Sequence, residues 1–401
     1  MPVFVSCERF VKSKTKNSKR SSIFKDVKLA ICLHISKETA VLVESLQSLG
    51  AEVTLVAANP LSTQNEIASF LASKGVSVYG SKGESTGEYE RQIRRAAISG
   101  PDLIVDDGGE LHVAYSKTDL NTCIGGTDET TSGTMRLAAL DDQRKLRYPA
   151  IPVNEAQTKH IFDNRYGTGQ SAVDGLIRAT GLLIAGKVVV VAGYGWVGRG
   201  VAERIRGLGG RVVVTEVSPI PTLQACLDGF EVRRMQDIAS SADIILTCTG
   251  QVDVVGTKIF KLLKDGAILG NVGHFDQEIK VSSLYRLAER RKQVREDVSE
   301  IQLNERGSRK NVYLLCDGRV VNLAAAEGHP PEVMQLSFAN QLLSLYYLLS
   351  HAKELKKRSK KLLTFPAEID EIVSRFALEG FNLQIDRLST SQKKYARSFE
   401  R

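Results

Sequence analysis

Residues 188–192 form an unbroken apolar run (VVVVA), followed at once by Gly193-Tyr194-Gly195-Trp196-Val197-Gly198 and then by the helix-patterned Val201–Leu208 (VAERIRGL). Strand, glycine turn and helix in that order leave few alternatives to a Rossmann-type unit. The first glycine permits the tight turn, the second lets the backbone approach a pyrophosphate, and the third permits close helix packing. The pyrophosphate then lies on a helix N-terminus, where unpaired N–H groups face an anion. The next strand, Arg211–Thr215, runs into Glu216. A carboxylate there suits the adenosine ribose hydroxyls and repels an extra phosphate, so the cofactor expected is NAD.

With 401 residues the chain is longer than one growing core supports, and two lobes are expected. In the first, candidate strands are Val27–Leu33, Glu52–Ala57, Val76–Tyr79, Leu103–Val105 and Ala150–Val153, with a helix over Lys37–Leu49 that stops at Gly50. In the second they are the VVVV run, Arg211–Thr215, Glu231–Arg233, Ile244–Thr247, Ala267–Leu269 and Val312–Leu315. This alternation predicts an α/β fold of two Rossmann-like, doubly wound parallel-sheet domains, each covered on both faces and joined by a hinge. Helices over Thr158–Ala185 and Pro330–Leu349 are expected to cross between the lobes. The boundaries expected are 1–157 with 330–365 for a substrate-binding domain, 158–329 for the NAD domain, and 366–401 for a short C-terminal segment.

Composition matters mainly for what it excludes. The net charge of +8 is concentrated in Lys12–Arg20 and Lys353–Lys361, neither interleaved with the aromatics that stack on bases. Solvated faces are expected there, not a nucleic-acid site. No apolar run is long enough to span a membrane, and the start lacks the pattern of a secretory signal, which predicts a cytoplasmic protein. The six scattered cysteines form no C-x-x-C pair, so neither a disulfide framework nor a metal site is expected.

A series of further motifs narrows the reading. Cys32-Leu33-His34 before KETAVLVE, Ser62-Thr63-Gln64, Asp106-Asp107-Gly108-Gly109 and Glu129-Thr130-Thr131-Ser132-Gly133 occur in that order. Val153-Asn154, Thr158-Lys159, Phe162-Asp163-Asn164, Asn271-Val272-Gly273-His274-Phe275-Asp276, Val321-Asn322-Leu323 and Gly328-His329-Pro330 follow. From about residue 27 to about residue 392, this series resembles the S-adenosyl-L-homocysteine hydrolase family. The resemblance implies reversible hydrolysis of S-adenosyl-L-homocysteine to adenosine and homocysteine, with one tightly held NAD per subunit, in a homotetramer. The ribose 3′-hydroxyl is oxidised, homocysteine is eliminated, water adds, and the stored hydride returns.

Carried over motif by motif, the resemblance implies catalytic roles for five residues. Lys159 and Asp163 would face the ribose hydroxyls, with the lysine ammonium disfavoured near NAD⁺ so that it serves as base. Asp107 and His34 would move protons at C4′ and C5′, and Glu129 would orient Lys159 and the ribose. Ser36 and Glu38 would read the adenine edge with His329 nearby, and His274 would touch substrate and cofactor. The NAD contacts implied are Thr130, Thr131, Ser132, Asn164, Gly193, Gly195, Trp196, Val197, Gly198, Arg199, Gly200, Glu216, Val272, Gly273, His274, Asn322 and His329. Taken singly, His34 reads as a core histidine, and Lys159 with Asp163 as a helical i,i+4 pair; their joint occurrence favours one cleft.

Departures from the family pattern exist. Its first long helix is mostly missing where Lys12–Arg20 stands, and Lys394 and Tyr395 do not match a tail that reaches a neighbour's NAD. GYGWVGRG and Glu327 resemble the archaeal and thermophile-bacterial branch, some of whose members act on S-inosylhomocysteine. A Glu38 carboxylate accepts from an adenine amine and opposes the oxo group of inosine, which favours the adenosyl substrate. An inactive NAD-binding regulator and a dehydrogenase that releases NADH are the alternatives outside the hydrolase class.

Overall fold

The computed structural model describes residues 1–15, 22–305 and 308–399. Its first sheet consists of β1 (Lys28–Leu33), β2 (Glu52–Ala57), β3 (Ser77–Tyr79), β4 (Leu103–Asp106), β5 (Gly125–Asp128) and β6 (Ala150–Pro152). All neighbours are parallel, in the order β3-β2-β1-β4-β5-β6. β5 escapes a reading by β propensity because it opens on Gly125-Gly126. A Cβ on Gly126 would stand 2.7 Å from the His112 ring, so close packing requires glycine there.

The second sheet holds β7 (Val188–Ala192), β8 (Arg211–Thr215), β9 (Glu231–Val232), β10 (Ile244–Thr247), β11 (Ile268–Asn271), β12 (Ala288–Arg295), β13 (Val298–Glu305) and β14 (Ser308–Leu315). Its parallel part, β9-β8-β7-β10-β11-β14, repeats the order of the first sheet. The expectation of a wholly parallel sheet is corrected at one edge, where β12, β13 and β14 pair antiparallel. β12 is almost entirely exposed and charged, so no apolar pattern announces it.

The helix Pro331–Ser350 crosses back as expected and runs through the core of the first lobe, where Leu336, Phe338, Leu342 and Leu345 meet Leu29, Ile31 and Leu103. The other crossing departs from expectation. It breaks into a turn at Gln157–His160, a π-helical stretch Asp163–Thr168 and a helix Gly169–Thr180 that Gly181 stops in the left-handed conformation. A helix Pro2–Thr15 does stand at the N-terminus and buries Val3, Phe4, Cys7 and Val11 in the first core; residues 16–21 of the basic run lie outside the described residues. The C-terminal segment also joins that core, through Ile369 and Val373 of the helix Ala367–Gly380. Lys353 and Lys356–Lys360 are exposed, and among the described residues no helix is long and apolar enough to cross a membrane.

Candidate active site

In an open sheet wound in this order, the loops after the two central strands diverge and leave a crevice at their carboxyl ends. Cys32, Asp106 and Asp128 stand side by side in the register of β1, β4 and β5. The chain therefore delivers His34, Asp107 and Glu129 at one level. The second sheet presents its glycine turn after β7 and Cys248-Thr249-Gly250 after β10 in the same way. Both crevices open into one cleft of about 360 Å³.

Most of the expected residues line this cleft: His34, Ser36, Glu38, Asp107, Glu129, Thr130, Thr131, Ser132, Lys159, Asp163, Asn164, Gly195, Trp196, Val197, Val272, Gly273, His274, Asn322 and His329. Gly193, Gly198, Arg199, Gly200 and Glu216 are not on its wall. A Cβ on Gly198 would lie 2.0 Å from the Gly193 carbonyl oxygen, and one on Gly200 would lie 1.9 Å from the Arg165 carbonyl oxygen. Both glycines serve backbone packing. Arg199 turns to the Tyr194 carbonyl and Gln224. The Glu216 carboxylate accepts from the backbone N–H groups of Tyr194, Val217 and Ser218, fixing the glycine turn from outside.

Lys159 is the centre of the polar cluster. Its Nζ lies 2.7 Å from Asp163 Oδ2 and 3.7 Å from Glu129 Oε1, and donates to Asn164 Oδ1 at 2.9 Å. Burial pulls its pKa down, but the Asp163 and Glu129 carboxylates outweigh burial and hold it above its ordinary value. The expectation of a disfavoured ammonium is corrected, because two anions face the lysine. Glu129, raised by burial against the pull of Lys159, accepts from Ser337 and Gln341.

His329 packs against the cluster through Asp163. Its Nδ1 is 2.5 Å from Asp163 Oδ1, and its Nε2 faces Thr168 and Asn322. Burial raises Asp163, but His329 and Lys159 overcome that and leave it below the ordinary carboxylate range. Across the cleft, the His34 ring shares a 2.6 Å hydrogen bond with Ser62, and its Nε2 is 3.4 Å from Asp107 Oδ2. Burial pushes His34 down to about 4 against the pull of Asp107, so the imidazole is neutral near pH 7. His274 Nδ1 lies 3.6 Å from Asp107 Oδ1, an oxygen that is buried without a hydrogen-bond partner among the described residues. At the far end, Ser36 Oγ donates to Glu38 Oε2 at 2.8 Å and caps the helix Lys37–Ser48.

Several contributors carry no sequence signal of their own. Asp370 accepts from the backbone of Gln157 and Thr158 and from the Thr158 hydroxyl, holding the turn that bears Lys159. Glu278 accepts from the backbone of Thr249 and Gly250 and from the Thr249 hydroxyl, fixing the loop after β10. Ser337 and Gln341 are four apart in a buried apolar helix, and that spacing is the one signal available to sequence reasoning.

Comparison with known proteins agrees with this geometry. The model of the S-adenosyl-L-homocysteine hydrolase family matches residues 9–124, and that of its NAD binding domain matches residues 164–328. The adenosylhomocysteinase of Sulfolobus acidocaldarius is 46% identical over 93% of this chain and 89% of its own length. The chain belongs to the S-adenosyl-L-homocysteine hydrolase family. The S-inosyl-L-homocysteine hydrolase of Methanocaldococcus jannaschii is also 46% identical, over 94% of this chain and 90% of its own. Among solved structures, a dipicolinate synthase chain from Bacillus halodurans shares the fold, at 14% identity and a TM-score of 0.51, over 82% of this chain and all of that one.

NAD is the cofactor of the matched domain, and the residues present fit it. Gly195 is the uncapped N-cap of the helix Trp196–Gly207, and a Cβ on it would meet nothing within 4 Å. Across the cleft, Asn322 Oδ1 is a buried acceptor without a partner among the described residues. A dinucleotide can approach the first and donate to the second.

Proposed function

We propose that this enzyme hydrolyses S-adenosyl-L-homocysteine reversibly to adenosine and homocysteine, with Lys159, Asp163, Glu129, Asp107 and His34 as its catalytic residues. The observation that carries the reading is the buried Lys159–Asp163–Glu129 cluster facing the His34–Asp107 pair across one cleft. When bound, NAD would be held at Gly195 and Asn322 and would supply a reversible hydride acceptor for C3′ of the ribose. Lys159 and Asp163 hold the ribose hydroxyls. Lys159 takes the 3′-hydroxyl proton once a positive charge beside it offsets the two carboxylates. Glu129, fixed by Ser337 and Gln341, keeps the ammonium in place.

The 3′-ketone acidifies C4′–H, and Asp107, whose Oδ1 is unengaged, accepts that proton. Homocysteine then leaves from C5′. The sulfur departs as a thiolate, and neutral His34, whose pKa lies below neutrality, is suited to accept a proton from the incoming water and pass it to that sulfur. Water adds at C5′, Asp107 returns its proton to C4′, and the restored 3′-hydroxyl takes its proton back from Lys159.

Relatives bearing the adenosyl and the inosyl names are equally similar, so identity does not choose the purine. Glu38 supports adenosine, because the Ser36 hydroxyl spends its proton on the carboxylate and leaves an acceptor for the 6-amine. Cytoplasmic residence agrees with the free state of all six cysteines, and a homotetramer is the assembly proposed from the family resemblance.

The test is thiol release from S-adenosylhomocysteine and from S-inosylhomocysteine, supplied separately to NAD-loaded protein while NADH is followed. Release from the adenosyl substrate without net NADH is expected. Net NADH would indicate a dehydrogenase. No thiol from either substrate would leave an NAD-binding regulator.

A further inference from the structure

Trp196, the chain's one tryptophan, opens the helix on which the dinucleotide pyrophosphate is expected to lie. Its ring is held on two sides. The Arg199 guanidinium stands 4.8 Å from the ring centroid, and the His160 imidazole lies at 5.0 Å, inclined by 30°. His160 belongs to the turn that carries Lys159, not to the nucleotide lobe.

The His160 ring is itself fixed, since its Nδ1 lies 3.0 Å from the Asn154 carbonyl oxygen and donates to it. The Asn154 side chain accepts from Asn164 Nδ2 at 3.1 Å, and Asn164 Oδ1 accepts from Lys159 Nζ at 2.9 Å. An unbroken set of contacts thus runs from the lysine assigned to the ribose hydroxyls to the glycine turn of the opposite lobe. None of the proton transfers assigned to the reaction requires His160.

We propose that the stack of His160 on Trp196 is a positioning contact that clamps the pyrophosphate turn to the Lys159 turn and slows the escape of NAD. The inference rests on NAD binding at this turn. Aromatic and cation–π pairs of this geometry change a binding equilibrium by about three- to tenfold, and the effect is expected in the dissociation rate.

Two substitutions separate the ring from its anchor. His160→Asn keeps a donor for the Asn154 carbonyl and loses the ring, whereas His160→Phe keeps a ring for Trp196 and loses the donor. Each is purified loaded with NAD, and NAD release into a trapping solution is timed while Trp196 emission is recorded. Release about three- to tenfold faster from His160→Asn, with a shifted Trp196 emission, and near-normal release from His160→Phe are expected. Turnover of the loaded enzymes should stay close to that of the unsubstituted protein. Unchanged release from His160→Asn overturns the proposal, and so does fast release from His160→Phe alone, which would assign the effect to the backbone contact. Should His160→Asn not fold, His160→Leu supplies the second variant without a ring, and its NAD release should be about three- to tenfold faster. Unchanged release from His160→Leu overturns the stack, whereas unsubstituted protein that takes up no NAD overturns the cofactor reading beneath it.

Discussion

His329 Nδ1 lies 2.5 Å from Asp163 Oδ1, so a histidine engages the carboxylate assigned to the ribose. Burial alone would lower His329, but the Asp163 carboxylate outweighs it and raises the pKa above 6.5. Stability from this contact is fully present below the unfolded value of about 6.5 and is lost as pH rises through the raised folded value. His329→Gln should cost about 1–3 kcal/mol at pH 5.5 and progressively less at alkaline pH. Thermal melts of both proteins across pH 5.5 to 9.5, without substrate, check this; a constant difference would show that the contact is not ionic.

Asp370 lies in the segment expected as a short C-terminal one, and it caps the turn that carries Lys159, with bonds of 2.9, 2.8 and 2.6 Å to Gln157 and Thr158. Its removal by Asp370→Ala should cost about 0.5–2 kcal/mol, as for other helix caps. Turnover should also fall, because the lysine is no longer held against Asp163. Denaturant melts with single-turnover kinetics separate the two effects. Lost stability at unchanged chemistry would confine Asp370 to folding.

Glu38 decides the purine, and the test is a ratio of activities. Glu38→Gln gives the site a donor for an oxo group beside an acceptor for an amine. The preference for the adenosyl over the inosyl substrate should shrink by about 1–3 kcal/mol, read as the ratio of kcat/KM values. A ratio that does not move removes Glu38 from purine recognition.

Gly200 is a packing residue, and its substitution tests that directly. A methyl group would stand 1.9 Å from the Arg165 carbonyl oxygen and force the phosphate helix off the π-helical stretch. Gly200→Ala should destabilise by about 1–3 kcal/mol. The loss should appear without NAD as well as with it. An effect only on NAD affinity would return Gly200 to the cofactor wall.

The family resemblance made His34, Asp107 and Glu129 legible; the first two also follow strands visible in the sequence, and strand ends are where a doubly wound sheet places its chemistry. Gly193–Gly198 was legible for the same reason. β5 was not, because its glycines answer to His112 and Leu348, neither of them a local neighbour. β12 was hidden by charges that belong on an exposed edge strand. The second layer of the site was the least visible. Glu129 depends on Ser337 and Gln341, and Lys159 on Asp370, through contacts across some two hundred residues. Such pairs carry no local spacing, and only the helix polar at positions 337 and 341 hints at them.

The hairpin also determines how this molecule ends. A parallel sheet stopping at β14 would offer a bare apolar rim to any strand of a like molecule. Instead β12 closes the row with Arg290, Arg291 and Lys292 in solvent. Two such rims meeting would bring cations against cations, and repulsion would oppose the zipper of backbone bonds. On that side, edge-to-edge pairing of the sheet with a second copy is opposed.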